Sequence, residues 1–175
     1  MAKAATSPEL KTALQDHLGE TAEHVARLEQ VFELLGEPAK AKPCAGMQGI
    51  IEEGSELIKE EDKGAALDAG IIASGQRAKH YEMAAYGSLM AWATALGHDE
   101  VAELLSTTLD EEKAADAKLS ELAEGGINAS AAEGREPEEG EEEESDDDEG
   151  PAPAQNGRAT GKSKPAMARA GAARK

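Results

Sequence analysis

The chain has 175 residues, room for one domain of ordinary size plus a tail. It contains one Trp, two Tyr and one Phe, so Ala and Leu must supply the core, which suits close-packed helices better than sheets. The formal net charge of −18 argues against nucleic acid as a ligand of the folded part, because phosphate binding requires a basic face. The single cysteine excludes a disulfide framework within one chain.

Targeting and membrane signals are not apparent in the sequence. No apolar run reaches the roughly 18 residues of a membrane span, and the N-terminus lacks a charged-then-apolar signal pattern. We therefore expect a cytoplasmic protein without a membrane partner.

Helical signals begin near the N-terminus. Ser7 followed by Pro8 predicts a capped helix start, and Gly36 predicts its end. A second helix is predicted over residues 44–60. Between the first cap and Gly36, apolar residues recur in steps of three, four or seven at Leu10, Leu14, Leu18, Val25, Leu28, Phe32 and Leu35.

Two further helices are predicted over residues 65–96 and 100–123, the first ending at Gly97 and the second capped by Asp99. No segment shows a sustained period of two, so strands are not expected. The sequence predicts an all-α bundle with short connections. The inner side of the third helix is predicted to carry Leu67, Ile71, Gly75, Ala78, Glu82, Ala85, Leu89, Trp92 and Leu96.

The composition changes after residue 124, which marks the predicted end of the folded domain 1–124. Residues 125–149 carry 12 acidic side chains, and residues 150–175 carry six basic and no acidic ones. Neither segment has enough apolar surface to offset its ordering entropy, so both are predicted to be disordered. We expect a solubilising extension, with contact between the basic tail and anionic partners as the alternative.

Metal-competent side chains occur on the inner sides of three predicted helices. Glu82 is the only charge on the stripe of the third helix, and Glu112 falls on the inner face of the last one, with Asp116 one turn later. The first helix has His24, with Glu20 four residues before it. Buried carboxylates must be paired, protonated or metal-bound, and di-iron and di-manganese bundles use this kind of convergence.

Each residue also has a simpler interpretation. Glu82 can lie at the edge of the core and pair with a neighbour, for which Arg77, Lys79 and His80 are the candidates. Glu112 lies in a charge-rich segment typical of a solvated face, and a single histidine such as His24 is more often a satisfied core residue than a ligand. The residues alone leave both interpretations open.

Three segments resemble the YciE/YciF family of ferritin-like bacterial proteins, and the resemblance covers residues 1–124. They are ELKTALQDHLGETAEHVARLEQVFELLGE, QRAKHYEMAAYGSLMAWATALGHDE and TLDEEKAADAKLSELAE. The resemblance implies a ferritin-like antiparallel helical bundle, a homodimer, a link to stress responses and a di-metal centre. The ligands that it implies for two iron or manganese ions are Glu20, Glu23, His24, Glu82, Glu112 and Asp116.

The chain departs from the family pattern in two ways. Ferritin-like sites use Glu-x-x-His, whereas Glu23 and Ala115 stand three residues after Glu20 and Glu112. Family members also begin with a helix resembling LYDAEKQ, and MAKAATSPEL resembles only the end of it. We therefore expect the first helix to be largely missing from this sequence. If Met1 is the true start, the remaining helices expose an apolar groove that a second copy can cover. The alternative, which we favour, is a late start site or a fragment, because loss of a whole helix destabilises a domain of this kind.

Two hypotheses on function follow from these observations. The first is a ferritin-like protein whose iron or manganese pair reacts with oxygen or peroxide. The second is a non-enzymatic dimeric helical interaction module whose metal site is vestigial. Whether the protein is an enzyme stays open between them.

Overall fold

A computed structural model describes residues 1–134, which contain four long helices and no β-strand. The helices are α1 (Pro8–Leu34), α2 (Ala45–Glu60), α3 (Ala65–Ala95), α4 (Asp99–Leu122) and the short α5 (Asn128–Glu133). This confirms the predicted all-α, ferritin-like helical bundle. The predictions for the remaining acidic segment and the basic tail lie outside the described residues.

Local signals explain where the helices begin and end. The Ser7 side chain caps α1 by accepting a hydrogen bond from the Leu10 amide at 3.2 Å, and Pro8 follows it as predicted. Gly36 and Gly97 follow α1 and α3 with φ angles of +69° and +77°. Only glycine adopts this left-handed conformation without a steric penalty, so these residues end the two helices.

Helical structure continues past residue 124, the predicted end of the folded domain. The chain kinks within Ala123–Ile127 at Gly126, whose φ is +145°, and α5 follows over Asn128–Glu133, where disorder was predicted from residue 125. Ala123 is buried in the core and Ile127 packs against it. The contact of Ile127, which lies beyond residue 124, offsets part of the entropy cost of ordering this segment.

Helix α4 packs against both α1 and α3, and α2 packs against α3. The core of residues 1–134 consists of two apolar clusters at opposite ends of the bundle. The first contains Ala5, Leu10, Leu67, Ile71, Ile72, Leu119 and Ala123. The second contains Val31, Ala93, Val101 and Leu105. Along both α1 and α4, polar residues lie between the two clusters, so the middle of the bundle contains buried polar and charged side chains.

Several residues predicted to be buried are exposed. Leu18 is 69 % exposed on α1, and Trp92 and Leu96 are 63 % and 73 % exposed on α3. The predicted inner stripe of α3 is therefore wrong for its C-terminal half. Periodicity identifies an apolar side of a helix, but burial requires another element over that side, and the described part of the chain supplies none there.

An open groove of about 980 Å³ runs between α1 and α2, with α3 and α4 as its floor. Its walls include Leu14, Leu18, Met47, Ile51, Leu119 and Leu122, and its polar end includes His17, Glu20, Lys79 and Glu82. Within residues 1–134, no helix combines the length and the apolar character needed to cross a bilayer.

Candidate functional site

A set of charged side chains fills the middle of the bundle, and we call it the polar cluster. Helices α1, α3 and α4 each contribute to it at mid-length. Glu112 is the innermost member, with 0 % of its surface exposed. The members are His17, Glu20, His24, Arg27, Lys79, Glu82, Glu111 and Glu112.

The Lys79 ammonium is the centre of the cluster. Its Nζ atom lies 2.6 Å from Glu82 Oε2 and 2.6 Å from His17 Nε2, and it donates a short hydrogen bond to Glu112 Oε2. Lys79 is buried, so this ion pair is largely shielded from water. A buried carboxylate such as that of Glu112 is tolerated only with a partner of opposite charge, and Lys79 provides it.

A second group of ion pairs joins Arg27 and His24 of α1 to Glu111, the residue directly before Glu112 on α4. Arg27 binds Glu111 with both ends of its guanidinium, at 2.7 and 3.1 Å, and also donates to Thr108 Oγ1 at 2.6 Å. The buried His24 contacts Glu111 Oε2 through Nε2 at 2.9 Å. The hydrogen bond from Arg27 lowers the pKa of the Glu111 carboxyl, although burial opposes it.

One carboxylate oxygen of the cluster is left without a hydrogen bond. His24 Nδ1 lies 3.2 Å from Glu112 Oε1 but makes no hydrogen bond with it, and this buried oxygen has no hydrogen-bond partner among residues 1–134. The contact is therefore electrostatic at most. Unsatisfied buried oxygens of this kind are rare in folded proteins and mark a strained or functional position.

The two tyrosines near Glu82 have different surroundings. Tyr86 is partly buried, with its ring centroid 6.3 Å from that of His24. Burial raises the pKa of Tyr86 to about 12, and the negative charges of Glu82 and Glu112 add to the effect. Tyr81 points away from the cluster, and its hydroxyl lies 3.1 Å from Cys44 Sγ.

The structure brings together four of the six predicted site residues. Glu20, His24, Glu82 and Glu112 belong to the polar cluster. Asp116 is instead 3.3 Å from His80 at the edge of the bundle, so one carboxylate of the predicted ligand set lies elsewhere. Glu23 also stays out, since it is exposed on α1 without a contact to the cluster.

Four members of the cluster were not predicted as site residues, namely His17, Arg27, Lys79 and Glu111. Lys79 had been named only as one of three neighbours with which Glu82 can pair, and that interpretation of Glu82 is confirmed. A signal was present in the sequence, because Lys79 precedes Glu82 by three residues and therefore lies on the same inner side of α3.

The cluster as arranged does not fit a resident metal pair. Lys79 Nζ lies between the carboxylates of Glu82 and Glu112, where a bridging cation would bind. In the part of the chain described here, no three His, Cys, Asp or Glu side chains are grouped closely enough to hold a metal ion. The iron or manganese pair stays a prediction, and it requires Lys79 to move.

The sequence of the chain is similar to a described family and to a known protein. Residues 1–132 match the family described as "Domain of unknown function (DUF892)". Protein YciF of Escherichia coli is 40 % identical over 132 residues, which cover 75 % of this chain and 80 % of that protein.

Solved structures agree with the sequence relatives. The crystal structure of the E. coli stress protein YciF matches with a TM-score of 0.69 and 41 % identity, over 73 % of this chain and 80 % of the other. YcfI from Rhodopseudomonas palustris matches with a TM-score of 0.65 and 43 % identity, over 68 % and 76 %. The chain therefore belongs to the YciF-like family described as "Domain of unknown function (DUF892)".

Proposed function

We propose that this chain is a non-enzymatic helical module that works by association with a second copy of itself. The observation that carries the proposal is the neutralisation of Glu82 and Glu112 by Lys79 within the same chain. With this partner the inner carboxylates serve the stability of the bundle. The proposal includes the stress setting that is named for the E. coli relative.

A continuous apolar surface supports association. Leu18 and Glu82 line the groove, and steps of seven residues, about two helical turns, lead from them to Val25 on α1 and to Leu89 and Leu96 on α3. These four apolar residues are all exposed. Exposed apolar residues that form a contiguous patch mark interaction sites. We call the groove together with Leu18, Val25, Leu89, Trp92 and Leu96 the open face.

The shape of the open face fits a second copy. The groove is recessed and lies along the N-terminal half of α1, whereas Trp92 and Leu96 protrude near the opposite end of α3. A two-fold axis brings the protruding end of each copy onto the recessed end of the other, as an isologous interface requires. At 1.5 Å per residue the strip from Pro8 to Val25 is about 27 Å long, and two helices side by side are about 20 Å wide. The resulting area of about 500 Å² per copy, before surface relief, approaches the roughly 800 Å² of a standard interface.

Trp92 provides the test, because it is the only tryptophan in the chain. Sedimentation or light scattering over a concentration series is expected to show a dimer, with Trp92 emission moving to shorter wavelength as the dimer forms. Trp92→Glu is expected to be a folded monomer. Gln30→Glu, which adds the same charge to an exposed position on the other side of α1, is expected to stay dimeric. A wild-type protein that remains monomeric at all concentrations refutes the proposal.

A di-metal centre with iron or manganese is the second candidate function. It is supported by the convergence of Glu20, His24, Glu82 and Glu112 from three helices at one level of the bundle. Metal content by mass spectrometry, on protein without a metal-binding tag, compares wild type with Glu82→Ala/Glu112→Ala. About two ions per chain that disappear in the variant, on the stoichiometry of such sites, support this candidate. Wild-type protein without metal excludes it.

A further inference from the structure

The surroundings of Lys79 Nζ resemble those of a bound cation. Three acceptor atoms face it, and each comes from a different helix: His17 Nε2 from α1, Glu82 Oε2 from α3 and Glu112 Oε2 from α4. An ammonium has three N–H donors and no acceptor, so three acceptors satisfy it completely. His17, Glu82 and Glu112 thus surround the ammonium on three sides, and we call these three residues the cage.

His17 is oriented as a ligand for that charge. Its Nδ1 atom lies 2.8 Å from Glu20 Oε2, so the proton is held at Nδ1 and donated to the carboxylate. The lone pair of Nε2 then points at Lys79 Nζ, 2.6 Å away. Metal-binding histidines are oriented in the same way, with one ring nitrogen donating to a carboxylate and the other facing the ion.

Glu112 has acceptor capacity that Lys79 does not use. Its carboxylate is fully buried, and Oε2 binds Lys79. Oε1 lies 3.2 Å from His24 Nδ1 but has no hydrogen-bond partner among the described residues 1–134. A fully desolvated carboxylate with one free oxygen is suited to a small ion of higher charge, which can bind a carboxylate through one or both of its oxygens.

We propose that Lys79 is a built-in cation that excludes metal ions, and that its removal turns His17, Glu82 and Glu112 into a site for one divalent transition metal. The present 2.6 Å separations are wider than the roughly 2.0–2.2 Å of metal–nitrogen and metal–oxygen bonds, so the ligands must move inward by a few tenths of an ångström. One imidazole and two carboxylates favour Mn²⁺, Fe²⁺, Co²⁺ or Zn²⁺ over soft ions.

Cobalt(II) alone is the probe, because its visible absorption reports the ligand geometry. The full-length Lys79→Ala variant is expected to take up one Co²⁺ per chain and to develop these absorption bands. Wild-type protein is expected to bind at least about tenfold more weakly, a difference of about 1.4 kcal/mol. Comparing chains that differ at one residue cancels weak binding by the acidic residues 136–149.

Three further variants separate a built site from unspecific binding. Lys79→Ala/Glu112→Gln is expected to lose the absorption bands. Lys79→Ala/Glu20→Gln is expected to bind about 10- to 100-fold more weakly, because Glu20 positions His17. Lys113→Ala, which removes an exposed lysine paired with Asp110, is expected to behave like wild type.

Two results overturn the inference. One is Co²⁺ binding by wild type as tight as that of the variant, and the other is a folded Lys79→Ala protein, checked by circular dichroism, without added Co²⁺ affinity. If Lys79→Ala does not fold, Lys79→Gln is titrated instead with the same expectation, because its neutral amide fills more of the space. The oligomeric state is measured separately, so a failure of the proposed association leaves this test intact.

Discussion

Asp68 fastens the start of α1 to α3, and its removal is expected to destabilise the whole bundle. The carboxylate is buried, and its two oxygens accept hydrogen bonds from the backbone amides of Thr6 and Ser7, each at 2.7 Å. These amides directly precede Pro8, the first residue of α1, so the negative charge also faces the positive end of the helix dipole.

The size of the effect follows from these contacts. A hydrogen bond to a charged group contributes about 1.5–3 kcal/mol, and the dipole adds about 0.3–1 kcal/mol. Because the two bonds share one carboxylate and are not independent, we expect Asp68→Ala to lower the free energy of unfolding by about 3–5 kcal/mol. Asp68→Asn retains one acceptor and is expected to lose about half as much. For a domain of this size, 3–5 kcal/mol corresponds to a Tm lower by about 10–20 °C.

Urea unfolding followed by far-UV circular dichroism measures the change, and amide hydrogen exchange at Thr6 and Ser7 shows whether the loss is local. Asp62→Asn is the matched control, since Asp62 is exposed between α2 and α3 and is expected to change stability by no more than about 0.5 kcal/mol. If Asp68→Ala unfolds within about 1 kcal/mol of wild type, the buried carboxylate does not anchor α1 and the reasoning fails.

Three further predictions concern the polar cluster. Lys79→Met is expected to cost about 3–5 kcal/mol in urea unfolding, because it leaves the fully buried Glu112 carboxylate unpaired. Lys79→Met/Glu112→Met is expected to stay within about 1 kcal/mol of wild type, because the carboxylate that loses its partner is then only that of Glu82, which water reaches; equal losses in both variants contradict this. In the Tyr81→Phe variant Tyr86 is the one remaining tyrosine, and absorbance at 295 nm is expected to show it ionising near pH 12 in the folded protein and near its ordinary pKa of 10.0 in urea. Stability is therefore expected to fall as the pH rises from 10.0 to about 12, and the same ionisation midpoint in both states refutes the prediction. The lowered pKa of Glu111 contributes stability above its ordinary 4.5 that is lost as the pH falls through the folded value, and Glu111→Gln is expected to flatten this acid dependence in pH-dependent thermal unfolding.

Much of the fold could be predicted from the sequence, because its signals are local. The Ser7-Pro8 start and the glycines at 36 and 97 act within one turn of the chain, and the structure places the helix ends there. The burial of Glu112 was also predictable, since steps of three and four along α4 put it on the inner face. Each of these features depends on a few neighbouring residues and on helix geometry alone.

The candidate site could be predicted only in part, because ion pairs join residues that are distant in sequence. Lys79 and Glu112 are 33 residues apart, and Arg27 and Glu111 are 84 apart, so spacing does not indicate that they meet. Asp116 shows the opposite error. It follows Glu112 by one turn on the same helix, yet its side chain faces His80, because the rotation of α4 against α3 decides which carboxylate points inward.

The sequence by itself determined the helices, their ends and the acidic residues on their inner sides, because backbone propensity and periodicity are properties of short segments. The tertiary structure alone decided which apolar sides are covered and which cation meets the buried carboxylates. Leu18 and Trp92 are exposed although their periodicity matches that of buried residues, since no other part of residues 1–134 lies over them. Lys79 became the centre of the polar cluster because helix packing carried its ammonium away from water and between the carboxylates of two helices.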